Sequence, residues 1–150
     1  MRKVVILDGG RIPFQKVGTG YRNLMSYQLA GYTMRSLIQK VGMEPALIDR
    51  VILGNVISNI ATSNVAREAS ILAGIPESTP CNTVVQACIS SNRAIADAYL
   101  DILAGKSDII LAGGVDSCSD TPIGYSKSMR QKLFDLSQAK GISNMLRCLW

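Results

Sequence analysis

The sequence contains no histidine. That removes the side chain that most often serves as a general base near neutral pH and most often ligates zinc. The four cysteines, Cys81, Cys88, Cys118 and Cys148, form no C-x-x-C pair, which argues further against a zinc site. We expect no metal and no disulfide, because a chain without secretory signals keeps its thiols reduced. Aromatic residues make up only 5% of the chain, so a core must be built from Val, Ile, Leu, Ala and Met. No window approaches the roughly 18 consecutive apolar residues that span a membrane. Met1-Arg2-Lys3 is basic, but Asp8 and two glycines follow five residues later. This is neither a signal nor a transit peptide pattern, and the expected compartment is the cytoplasm.

What is present is a chain that is 47% hydrophobic over 150 residues, enough for one ordinary core. Lys3–Leu7 is a short apolar run that reads as a buried strand ending at Asp8-Gly9-Gly10. Gly18-Thr19-Gly20 invites a dinucleotide reading, but the third glycine is missing and no strand directly precedes it, so that reading is rejected. From Ser26 to about Val41 the apolar residues recur at helical spacing, with Gly42 just past the end. Pro45 opens a short helical turn through Ile48. Val51-Ile52-Leu53 starts a second strand, expected to reach Ile57. Asn64 is placed to cap a helix carrying Val65, Ala69, Leu72 and Ala73, closed by Gly74 and Pro76. Cys81 to Val85 reads as a third strand and Asp108–Ala112 as a fourth. Between them a helix runs to Gly105. The order β-α-β-α-β-α-β predicts a mainly parallel sheet covered by helices on both faces, with sites at the carboxyl ends of the strands.

Cys88 falls at the elbow between the third strand and the helix after it. Ser90 or Ser91 is placed to act as that helix's N-cap, accepting a bond from an orphan N–H. The unpaired N–H groups and partial positive charge of a helix N-terminus favour a thiolate, and can donate to an oxyanion formed beside it. Free cysteine is also among the most buried residue types, so spacing alone leaves a plain core cysteine open.

The segment Val84-Val85-Gln86-Ala87-Cys88-Ile89-Ser90-Ser91-Asn92-Arg93-Ala94-Ile95 resembles the nucleophile segment of the thiolases, which cleave 3-oxoacyl-CoA with coenzyme A. Arg11-Ile12-Pro13-Phe14, Asn64–Ala69 and Ala112-Gly113-Gly114-Val115-Asp116-Ser117 resemble further motifs of that family, in the same order. Ser119–Ile123, Ser126, Met129-Arg130 and Ala139-Lys140 are most similar to its long-chain branch, the thiolase (beta) subunits of fatty-acid oxidation trifunctional complexes. The resemblance covers nearly the whole chain and less than half of a typical member. It implies an α/β, thiolase-like layered fold, with residues 1–121 as four strands of the amino-terminal core and residues 122–150 as the start of an inserted loop domain.

It also implies that Cys88 is the acylated nucleophile, with coenzyme A as co-substrate and no permanently bound cofactor. The activating His and the acid–base Cys of the family come from its second half, so the 150-residue chain alone is expected to be inactive. Implied partners are acyl-CoA, a second copy in a homodimer, and a hydratase/dehydrogenase subunit. Nucleic acid is not expected. Residues 126–150 hold five basic side chains against Asp135, whereas residues 1–125 hold 11 basic and 10 acidic ones. Such a basic segment is most often a solvated helix face. In the long-chain branch the same region covers coenzyme A and faces a partner subunit or a membrane, and Lys127, Arg130 and Lys132 suit any of these surfaces. Ile142, Met145, Leu146, Leu149 and Trp150 continue an apolar pattern without a cap, as an interrupted domain would. Two other readings stand beside this one: a short non-catalytic protein of the same fold acting in assembly, and a related condensing enzyme using the same Cys elbow.

Overall fold

The computed structural model describes residues 2–141. Helix α1 spans Ser26–Val41 and ends where Gly42 turns left-handed at φ 64°, returning its N–H to the last carbonyls. Helix α2 spans Val65–Ala73. Asn64 caps it, its Oδ1 accepting from the Arg67 N–H at 3.2 Å. Strands β1 (Arg50–Gly54), β2 (Cys81–Val84) and β3 (Ile110–Gly114) form a parallel sheet in the order β2-β1-β3. Helix α3 (Ser90–Leu103) connects β2 to β3.

The period of two along β1 divides the core. Val51 and Leu53 pack with Ala30, Met34 and Ile38 of α1 and with Ala66, Ala69 and Ala73 of α2. Ile52 points the other way and meets Ala94 and Ala98 of α3. Helices therefore cover both faces of the sheet, and the central strand is apolar from Val51 to Leu53, where both its sides are buried. Burial of Val51, Ile52 and Leu53 contributes about 1.5–3 kcal/mol each through removal from water.

Two strand expectations need correction. Lys3–Leu7 forms no strand, so the described residues hold three strands rather than four. Val5, Ile6 and Leu7 stay exposed. The segment is moored by ion pairs instead, between Arg2 and Asp108 and, at 2.8 Å, between Lys40 and Asp8. An apolar run becomes a strand only where a neighbour supplies the other half of the hydrogen-bond ladder, and none of the described residues does so here. Strand β1 also stops at Gly54 instead of reaching Ile57. The Val56 and Ile57 N–H groups donate to Asp116 Oδ1 at 2.9 and 2.8 Å, which takes them out of the ladder.

Helix α4 spans Lys127–Gln138, with Ser126 Oγ accepting from the Met129 N–H at 3.3 Å. It forms where the pattern placed it, but none of its residues is buried, and Met129, Leu133 and Phe134 are exposed. The apolar pattern expected over 142–150, with Cys148, lies outside the described residues.

Candidate active site

Five residues, Val85 to Ile89, carry the chain from β2 into α3. Within them Ala87 adopts φ +46°, the one non-glycine residue with positive φ among those described. A left-handed conformation costs an L-residue about 1–2 kcal/mol, so the surroundings must hold it there. Cys88 follows directly and is exposed.

The expected cap at Ser90 or Ser91 is corrected by the structure. The residue ahead of the first helical turn is Ile89, and no side chain caps it. Ser90 is buried and faces backwards: its Oγ accepts from the Gln86 N–H at 2.7 Å and donates to the Ala87 carbonyl at 2.7 Å. The tight elbow brings those two groups within reach of the hydroxyl, and they outcompete the helix N–H groups.

The floor beneath the elbow is made of glycine. A Cβ on Gly54 would lie 2.4 Å from the Ser90 carbonyl carbon, and one on Gly114 would lie 2.7 Å from Ser91 Cβ. The carboxyl ends of β1 and β3 thus admit the first turn of α3 at backbone contact, which places Cys88 over the sheet's carboxyl edge. Asn55, 1% exposed, knits those ends together. Its Nδ2 donates to the Val115 carbonyl at 2.8 Å and to Asp116 Oδ1 at 3.0 Å, while its N–H reaches the Val84 carbonyl at 3.2 Å.

Sequence reasoning missed Asn55, Asp116 and the inward role of Ser90. One signal was available: Asn55 directly follows an apolar strand, where a buried amide must find partners. The family-like segments are distributed unevenly. Ala112–Ser117 meets the Cys88 segment through Gly114. Asn64–Ala69 clips α2 to β2, with the Ala66 N–H donating to Thr83 Oγ1 at 3.1 Å and Thr83 Oγ1 donating to Asn64 Oδ1 at 2.8 Å. Arg11–Phe14 lies elsewhere, lining a cavity of about 360 Å³ between α1 and the end of β3. Cys118 lines that cavity and Cys88 does not, while Gly114 borders both the cavity and the elbow. Cys81 Sγ is within 3.3 Å of Ser70 Oγ and 3.2 Å of the Thr79 carbonyl, a partly buried structural thiol.

The exposed Cys88 thiol thus sits on a glycine-floored elbow at the carboxyl edge of a parallel sheet, the edge where sites gather in folds of this class. Residues 4–147 match the family "Thiolase, N-terminal domain". The chain belongs to the thiolase family. The mitochondrial trifunctional enzyme subunit beta of Mus musculus is 42% identical over 149 residues, covering 99% of this chain and 31% of that protein. A probable 3-ketoacyl-CoA thiolase of Caenorhabditis elegans is 37% identical, covering 98% of this chain and 33% of its own length. Among solved structures, the Acat5 thiolase of Ascaris suum in complex with coenzyme A superposes with a TM-score of 0.71 at 29% identity, over 74% of this chain and 29% of that one. The acetyl-CoA acetyltransferase of Bacillus anthracis gives 0.70 at 32% identity, over 73% and 28%. This thiolase chain spans about a third of the length of the curated relatives it matches. Its parallel sheet with helices on both faces agrees with the layered fold expected from the sequence.

Proposed function

We propose that this chain carries the nucleophile of a 3-oxoacyl-CoA thiolase acting in fatty-acid β-oxidation. The exposed Cys88 at the Ala87–Ser90 elbow is the observation that carries the reading. The Cys88 thiolate attacks C3 of the 3-oxoacyl thioester, and the C2–C3 bond breaks. The electron pair left on C2 takes a proton, and acetyl-CoA departs. The shortened acyl group remains on Cys88 as a thioester until the thiol of coenzyme A attacks it, forming the shorter acyl-CoA and freeing the cysteine. The Cys88 backbone N–H is the donor we assign to the oxyanion on C3.

A nucleophilic thiol needs a base within hydrogen-bond reach, and these 150 residues contain no histidine. By family resemblance the His that activates Cys88 and the Cys that exchanges the C2 proton lie outside residues 1–150. We assign residues 1–121 to the amino-terminal core and 122–150 to the start of the loop domain, and the detachment of α4 from the core supports that division. Coenzyme A serves as co-substrate on this reading. A second copy pairs through the outer edges of the sheet, whose lateral strands are β2 and β3.

A haloacetyl thioester of coenzyme A tests the assignment. Peptide mass mapping is expected to find the label first on Cys88, and label on Cys118 with Cys88 spared would overturn the reading. The 150-residue chain mixed with acetoacetyl-CoA and coenzyme A is expected to produce no acetyl-CoA. Turnover by this chain would show that it supplies its own base.

A further inference from the structure

We propose that Ser90 is a positioning residue: its buried hydroxyl is a clasp that holds the elbow in the one backbone conformation presenting Cys88. The inference rests on the reading of Cys88 as nucleophile and goes beyond it by naming what keeps the sulfur in place. Three observations converge on Ser90. Ala87 stands at φ +46°, a conformation an L-residue leaves unless it is held. The Ser90 Oγ bridges the Val85–Gln86 and Ala87–Cys88 peptide groups on either side of the Gln86-Ala87 pair, taking the Gln86 N–H and giving its proton to the Ala87 carbonyl, both at 2.7 Å. Ser90 itself cannot drift, being 4% exposed with its carbonyl carbon seated on Gly54.

The bridge has a consequence for the next residue. The Ala87 carbonyl also accepts the Ser90 N–H at 3.1 Å, and the Gln86 carbonyl accepts the Ile89 N–H at 3.2 Å. Those two backbone bonds close the turn around Cys88 but engage only the carbonyl of Gln86, and its N–H, on the entering side, still needs an acceptor. The hydroxyl supplies that acceptor. Without it the Gln86 peptide rotates to find water, Ala87 relaxes toward negative φ, and Cys88 swings off the first turn of α3. Ser91 makes no comparable bridge, although its residue type is the same.

The test is made on the 150-residue chain with Ser90→Ala. Amide hydrogen exchange at Gln86 is expected to speed up at least tenfold, while Ala94 and Ala98 inside α3 keep their protection. Iodoacetamide alkylation, followed by peptide mass mapping, reads the effect on the thiol, with exposed Cys118 in the same molecule as the reference. The ratio of the Cys88 to the Cys118 rate is expected to fall at least fivefold in Ser90→Ala and to recover in Ser90→Thr. A merely structural serine would not show that recovery.

Partly buried Cys81 reports general unfolding. Should it become as reactive as Cys118 in Ser90→Ala, the isosteric pair Ser90→Thr and Ser90→Val decides instead, since the two differ by the hydroxyl. Unchanged Gln86 exchange, or equal ratios in Thr and Val, would overturn the clasp. Equal Cys88 and Cys118 rates in the parent chain would instead overturn the reading of Cys88 on which it rests.

Discussion

The tripeptide Val-Ile-Leu occurs twice, as Val5-Ile6-Leu7 and as Val51-Ile52-Leu53, and the two copies meet opposite fates. The first is 63%, 87% and 69% exposed; the second is 0%, 1% and 3% exposed. Composition, β-branching and local propensity are identical, so none of them decides the outcome. The second copy lies between β2 and β3 and has a helical layer on each face. The first has an ion pair toward each end and no ladder. A strand is therefore a property of a pairing, and propensity only says which segments will accept one.

Substitution at the middle residue should separate the copies most. Ile52→Ala opens a cavity between the sheet and α3 and is expected to cost about 3–4 kcal/mol in urea unfolding. Ile6→Ala, on an exposed side chain, should stay within about 0.5 kcal/mol. Equal effects would mean that residues 3–7 are buried in solution and that the contrast is wrong.

The glycines that follow each copy sharpen the comparison. Gly54→Ala places a Cβ against the Ser90 backbone at 2.4 Å and should cost about 2 kcal/mol while displacing the elbow. The displacement would register as slower alkylation of Cys88 relative to Cys118. Gly9 has nothing within 4 Å of the corresponding position, so Gly9→Ala should be silent in both measurements.

The smallest contrast lies in the flanking carboxylates. Asp49 precedes the buried copy, and the Ile109 and then the Asp108 N–H groups hold its carboxyl below the ordinary range. Asp8 follows the exposed copy and is held down first by Lys40, then by the Gly9 N–H. A carboxyl whose folded pKa is depressed stabilises the fold above its unfolded pKa of about 4 and loses that contribution as pH falls through the folded value. Both Asn variants should thus flatten the acid limb of the stability curve below pH 4. Both should lower stability at pH 7, and Asp49→Asn by more, because it also unties the entry of β3 from the start of β1. A pH series of thermal melts reads both, and a matching loss at pH 7 from Asp8→Asn would remove the distinction.

Much of this was legible in the residues. Helix α1 runs over the span its apolar periodicity gave, and Asn64, Ser126, Gly42 and Gly74 cap as their residue types suggest. The elbow at Cys88 could be placed because β-branched residues give way to a helical pattern across a few positions. These signals are local: they depend on side-chain geometry and backbone preference within about one turn of the residue concerned.

What remained hidden depends on residues far apart in sequence. Asp116 ends β1 early because its carboxylate offers acceptors to Val56 and Ile57 from about sixty positions away. The amphipathic stripe of α4 did predict a helix, yet amphipathicity names no partner, and the described residues bury none of that helix.

By itself, then, the sequence determined the helices, the caps at Gly42, Asn64 and Gly74, the family and the position of the Cys88 elbow along the chain. Tertiary structure alone decided which Val-Ile-Leu became a strand, where β1 stopped, and which way the Ser90 hydroxyl turned. The reason is physical. A cap or a helical period is satisfied within a few residues, whereas a ladder, a buried amide or a backbone contact over glycine requires a second segment to arrive.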